Sequence, residues 1–147
     1  MKSYFPDVNV WLALASGSHE HHTIAAAWFD RLERGLVYFC RLTQLSFLRL
    51  LTNTIVMGED TLTQIEAWQA YDLLLGDERV FFHLEPDAED LDHAFRNLTT
   101  KAQRSSRDWP DAYLAAFART AGLKLVTFDR ALYKIAGADA SLLSAGS

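Results

Sequence analysis

A chain of 147 residues, half of them hydrophobic, can bury one sizeable core and is too short to suggest two ordinary domains, so one domain over residues 1–147 is expected. No uncharged apolar run reaches the ~18 residues of a membrane span, and the apolar stretch over 10–15 is interrupted upstream by Asp7 and Asn9, which excludes a convincing signal peptide and predicts a soluble, cytoplasmic protein. A formal net charge of −5 argues against tight, non-specific binding to a polyanion, and the single cysteine, Cys40, excludes an internal disulfide and a multi-cysteine zinc site.

In chain order, 3–6 reads as a short strand, and 10–15 as one or two helical turns ending near Gly17. Residues 21–32 form an amphipathic helix with Ile24, Ala27, Trp28 and Leu32 on one face, and Gly35 is a helix stop before an apolar β-type run over 37–40. Thr43 caps a helix through Leu51, and 62–75 carries Ile65, Trp68, Ala70, Leu73 and Leu74 at the spacings of a packed face. A third strand is predicted over 80–83, then a helix over 87–104 with Ala88, Leu91, Ala94, Phe95 and Leu98 inward. The clearest helix is 110–121, with Pro110 near its start, Asp111 in its first turn and Gly122 just past its end. A strand over 124–127 follows at once, and 141–143 offers a last edge strand. Short strands alternating with helices, without repeats or Pro/Gly-rich linkers, indicate an α/β domain with a mostly parallel sheet of four to five strands covered on both faces.

Three acids stand out in that frame. Asp7 lies at the exit of the first strand, Asp129 two residues beyond the strand over 124–127, and Asp111 at the start of the helix leading into that strand. A parallel sheet places its ligand site at the carboxyl edge of its strands, so the three would converge there despite lying more than a hundred residues apart. Taken singly, Asp111 is accounted for by the helix dipole and Asp129 by a turn. Taken together, ionised carboxylates at close range call for a cation, and Mg²⁺ or Mn²⁺ suits an all-oxygen donor set. Such a metal activates water for phosphodiester hydrolysis.

The runs from Pro6 to Leu14, His19-Glu20-His21-His22 with Trp28, Asp111 to Ala116, and Leu125-Val126-Thr127-Phe128-Asp129 together resemble a PIN domain, and more narrowly the VapC-type toxins of bacterial toxin–antitoxin pairs. The likeness runs from about Tyr4 to Tyr133. It implies a Mg²⁺- or Mn²⁺-dependent endoribonuclease acting on transfer or ribosomal RNA, silenced by a cognate VapB-type antitoxin and homodimeric. By that likeness Asp7, Asp111 and Asp129 are the catalytic, metal-holding acids, while Asn9 and Thr127 support them by hydrogen bonds. One departure is evident: the acid usual on the helix after the second strand is matched by Arg49, which could instead contact a substrate phosphate. Asp108 is a substitute acid or an N-cap, and Lys101, Arg104 and Arg107 form a local basic group for RNA backbone.

His19, His21 and His22 look like a metal cluster but lack a fourth ligand nearby, so they are read as capping or packing. Trp11, Trp28 and Trp68 fall at core spacings, while Trp109 adjoins the acids and could stack a base. Two alternatives stay open: a PIN-like module that binds RNA or a partner without cutting, and a haloacid-dehalogenase-like phosphatase using Asp7 as nucleophile.

Overall fold

The computed structural model describes residues 2–144; both ends of the expected domain, 1 and 147, lie outside the described residues. Five strands form one sheet: β1 (Ser3–Pro6), β2 (Leu36–Phe39), β3 (Val80–Phe82), β4 (Lys124–Thr127) and β5 (Ala140–Leu142). Their order is β3-β2-β1-β4-β5 and every pairing is parallel. Eight α-helices connect them: α1 (Val8–Ala15), α2 (His22–Asp30), α3 (Arg41–Leu51), α4 (Thr54–Met57), α5 (Gln64–Leu75), α6 (Ala88–Leu98), α7 (Asp108–Ala121) and α8 (Arg130–Ala136). The chain steps from β1 out to β3, then crosses back to lay β4 on the other side of β1, so the winding reverses between β1 and β4. That reversal opens a crevice at the carboxyl ends of these two strands.

Both faces of the sheet are covered, which is why its strands are apolar at successive positions rather than alternately. Phe5 and Leu125 pack with α6, α7 and α8 residues such as Leu91, Ala115, Phe117 and Leu132. Val37, Phe39 and Val126 face the opposite layer, with Trp11, Trp28, Phe47 and Tyr71. Ring stacking organises both layers: Phe5 on Phe117 at 4.8 Å, and Trp11 on Phe39 at 3.8 Å. Gly122 ends α7 in the left-handed conformation, φ 71°, as a glycine stop requires.

Several boundaries differ from expectation for local reasons. Asp7 caps α1 three residues before the apolar run begins, so that helix opens at Val8. Gly35 stops no helix, since α2 ends at Asp30; a side chain there would meet the Tyr4 ring at 3.2 Å, so the glycine permits close packing beside β1. Thr43 does cap α3, but from inside it: its hydroxyl accepts the Cys40 N–H, so the helix starts at Arg41. The helix expected over 87–104 ends at Leu98, where the Thr99 hydroxyl donates to the Phe95 carbonyl; Ala88 is exposed. On α2, Ala25 is buried and Ala27 is not. The largest correction is α5: Ala67 and Tyr71 face inward, while Ile65, Trp68 and Leu73 are exposed at 73%, 48% and 81%. Among the described residues no helix is long and apolar enough to cross a membrane.

Candidate functional site

Asp7 occupies the last rung of the β1–β4 ladder, its N–H donating to the Val126 carbonyl at 2.9 Å. Its carboxylate turns back to cap α1: Oδ1 accepts the Val10 N–H at 3.2 Å, the Asn9 N–H adds to the cap, and Oδ2 accepts the Thr127 hydroxyl. Thr127 then accepts the Asp129 N–H on its own Oγ1 at 2.9 Å. A continuous chain of hydrogen bonds therefore joins the exit of β1 to the exit of β4. Asp129 caps α8, its Oδ1 accepting the Ala131 and Leu132 N–H groups at 2.8 and 3.4 Å.

Electrostatics tie the third acid to this pair. Burial pushes Asp7 up to about 6 despite the hydrogen bonds from Thr127, Val10 and Asn9 that oppose the rise, and the charge of Asp129 adds to it. Half-buried Asp111, in the first turn of α7, is also held above the usual carboxylate range, first by burial and then by the charges of Asp129 and Asp108. Asp129 thus lies within electrostatic reach of both other acids. Among the described residues the ion pairs lie elsewhere, so this negative charge has no cationic side chain against it.

Among the described residues, no three or more His, Cys, Asp or Glu side chains are grouped closely enough to hold a metal ion together. The acids share an edge without closing into a cage. That arrangement fits a hard divalent cation such as Mg²⁺, which binds through one or two carboxylates and keeps several waters, better than it fits Zn²⁺. The fit rests on Asp7, a buried carboxylate whose ionisation is opposed until a positive charge arrives.

The remaining candidates are placed as follows. Thr127 is fully buried and bonds Asp7 directly, whereas Asn9 acts through its backbone N–H. Asp108 opens α7 but caps nothing; its carboxylate takes the Lys101 ammonium and, at 2.7 Å, the Ser105 hydroxyl, which hold it below its usual range. Lys101 is thereby committed to an ion pair, while Arg104 and Arg107 are exposed just before α7. Arg49 is not brought to the acids. It sits in the last turn of α3, in a groove of about 300 Å³ with Leu45, Leu48, Gln64 and Trp68.

The histidines make packing and turn contacts. His19 Nδ1 accepts the His21 N–H at 3.0 Å, His22 Nδ1 lies 2.7 Å from the Ala13 carbonyl, and the His21 ring stacks on Phe128 at 4.5 Å. Trp109 is 52% exposed and meets Phe95 edge-on at 6.0 Å. One feature that periodicity did not single out is Arg41, which follows β2 at the same carboxyl edge.

Known proteins resemble this chain along most of its length. Residues 4–138 match the family described as PIN domain. The chain is 43% identical over 143 residues to Ribonuclease VapC41 of Mycobacterium tuberculosis, covering 94% of this chain and 97% of that protein. Among solved structures, VapBC2 of Rickettsia felis, bound to a DNA fragment from its promoter, superposes with a TM-score of 0.69 at 12% identity, covering 97% of this chain and 99% of that one. VapC20 of Mycobacterium tuberculosis, a toxin that cleaves the sarcin–ricin loop, gives a TM-score of 0.64 at 17% identity, covering 89% and 93%. At such identities the two structures speak for the fold alone.

Proposed function

The chain belongs to the PIN-domain family and to its VapC ribonucleases, and on that premise we propose that Asp7, Asp111 and Asp129 hold the divalent cation, Mg²⁺ or Mn²⁺, of a toxin endoribonuclease. As a VapC-type ribonuclease it is a hydrolase acting on RNA. The observation that carries the site assignment is the buried Asp7 carboxylate, linked through Thr127 to the Asp129 backbone and raised to about 6 with no cation beside it.

Each residue then has a task. The Thr127 hydroxyl and the Val10 N–H hold the Asp7 carboxylate in one orientation, so little reorganisation is needed when a cation arrives. Asp129 is presented by the N-cap of α8 and Asp111 by the first turn of α7. When bound, the cation would supply Lewis-acid chemistry, activating water and offsetting charge at the phosphate. Asp7, once ionised, is the fixed negative charge that places it.

A cognate antitoxin goes with VapC membership. We place the antitoxin's tail across the acidic edge and take the toxin to be a homodimer, for which the exposed Ile65, Trp68 and Leu73 of α5 offer an apolar face for a second copy. PIN membership displaces the phosphatase alternative. The deciding assay is cleavage of total RNA with Mg²⁺ or Mn²⁺ by the wild type and by Asp7→Asn. Cleavage that needs the metal and is lost in the variant is expected. Cleavage in excess chelator, or equal cleavage by the variant, defeats the mechanism, and RNA binding without any cleavage identifies a non-catalytic module.

A further inference from the structure

We propose that Arg41 is a substrate-positioning residue that grips a backbone phosphate of the RNA strand adjacent to the one at the acids, in the role the sequence pattern had offered to Arg49. The inference rests on the ribonuclease reading above and specifies where the rest of the strand lies.

The first observation is register. Tyr4 pairs with Val37 in the parallel β1–β2 ladder; carried forward at the same offset, this sets Asp7 beside Cys40, with Arg41 immediately after it. Arg41 therefore leaves the carboxyl edge one strand over from Asp7, a lateral step of roughly 5 Å between backbones. Arg49, by contrast, lies in the last turn of the same helix, which runs away from that edge.

The second observation is how the side chain is held. Its guanidinium lies over the Phe82 ring, 4.8 Å from the centroid, and Nη1 donates to Gln44 Oε1. Gln44 is itself 8% exposed, so the acceptor that positions the arginine is anchored in the core. Phe82 ends β3, so these contacts draw the guanidinium along the edge, away from β1 and toward β3. A planar guanidinium fixed on two sides keeps further donors for a phosphate and loses little freedom on binding it.

The third observation is charge. Arg41 is exposed, and among the described residues no carboxylate pairs with it, unlike Lys101, Arg79 and Arg119. In a chain of net charge −5, with Asp7 and Asp129 at the β1 and β4 exits and Asp111 in the first turn of α7, an RNA strand meets repulsion where it is cut and needs a cation beside that point. Arg41 supplies one in a set position. The strand then runs across the sheet edge from β4 past β1 to β2, rather than along the crevice.

The test measures metal-free binding of a fluorescein-labelled single-stranded RNA decamer by anisotropy, over a salt series, for the wild type, Arg41→Ala, Arg41→Lys, Arg49→Ala and the remote control Arg119→Ala. Arg41→Ala is expected to weaken binding about tenfold at low salt and to flatten the plot of log K against log salt by about 0.7, the value of one single-strand phosphate contact. Arg41→Lys is expected to keep the slope and lose a few-fold in affinity. In cleavage assays Arg41→Ala is expected to raise KM with kcat little changed. An unchanged slope in Arg41→Ala overturns the proposal, whether or not its melting temperature falls, because packing alone does not alter the salt dependence. A slope lost in Arg49→Ala instead overturns it too. A wild type that binds the decamer but cuts nothing defeats the ribonuclease reading and leaves the slope comparison decisive for Arg41.

Discussion

The carboxyl edge of the sheet and the outer face of α5 invert the usual distribution of polar and apolar groups. At the edge a carboxylate, Asp7, is 5% exposed and bonded to a fully buried threonine. On α5 the large apolar side chains Ile65 and Leu73 stand in solvent at 73% and 81% exposure. Burying Asp7 costs stability that the proposed cation would restore, and exposing Ile65 and Leu73 leaves apolar surface that a partner would cover. Both regions depart from what folding alone would favour, and each departure points to something the chain binds.

The largest effect expected at the edge is on activity. Asp7→Asn should lower RNA cleavage by about a thousandfold, the loss of several kcal/mol of charge stabilisation at the phosphate. The same variant should make the metal-free protein more stable at pH 7.5, by up to about 3 kcal/mol for a carboxyl raised from 3.8 to about 6. Calorimetry without metal checks this, and a lower melting temperature would break the view of Asp7 as a strained charge.

The pH profile sharpens the same point. Between 3.8 and about 6 the folded chain keeps a proton on Asp7 that the unfolded chain has released. Asp7's contribution is therefore fully present below that window and is lost as pH rises through 6. The wild-type minus Asp7→Asn difference in metal-free stability should fall across the window and stay level above it, measured by denaturant melts at stepped pH. Asp77 and Asp108, held low by Arg79 and Lys101, act with the opposite sign at more acid pH and cancel in the difference.

Thr127→Val removes a hydroxyl that donates to Asp7 and accepts from the Asp129 N–H, and should cost about 1–3 kcal/mol with a fall in metal affinity read by titration calorimetry. On α5 the expected stability changes are smaller. Ile65→Gln should alter monomer stability by no more than about 0.5 kcal/mol while shifting the solution mass toward the monomer, whereas a larger residue at buried Ala67 should cost about 1–3 kcal/mol through overpacking. An Ile65→Gln chain with unchanged mass would exclude this face as the dimer contact. Smallest of all, Lys101→Ala breaks an exposed ion pair and should change stability by under about 1 kcal/mol in a thermal melt.

How much of this was legible follows from the range of each signal. Asp7 and Asp129 were readable because an acid just beyond an apolar β-run is a local pattern, and the parallel winding brings strand exits to one edge. Thr127 was named from likeness, but its bond to Asp7 spans 120 residues and has no local sign. The α5 face was misread because Ile65, Trp68 and Leu73 keep helical spacing as well as Ala67 and Tyr71 do, so periodicity cannot choose between the two stripes. Arg41 carried no pattern at all: a basic residue after a strand is ordinary until Phe82 and Gln44 are seen to hold it. The helix expected through Arg104 stops at Leu98 because Thr99 turns its hydroxyl back on the Phe95 carbonyl, a choice that helix propensity alone does not make.

By itself the order of residues determined the alternation of strands and helices, the parallel sheet covered on both faces, and the acids set at strand exits and helix starts. These are consequences of backbone periodicity and capping, which act over a few residues. Which stripe of α5 meets the core, what holds the Arg41 side chain at the sheet edge, and how far Asp7 is desolvated were decided only when chain-distant elements packed together. Burial and electrostatic interaction depend on neighbours in space, and the chain acquires those neighbours only by folding.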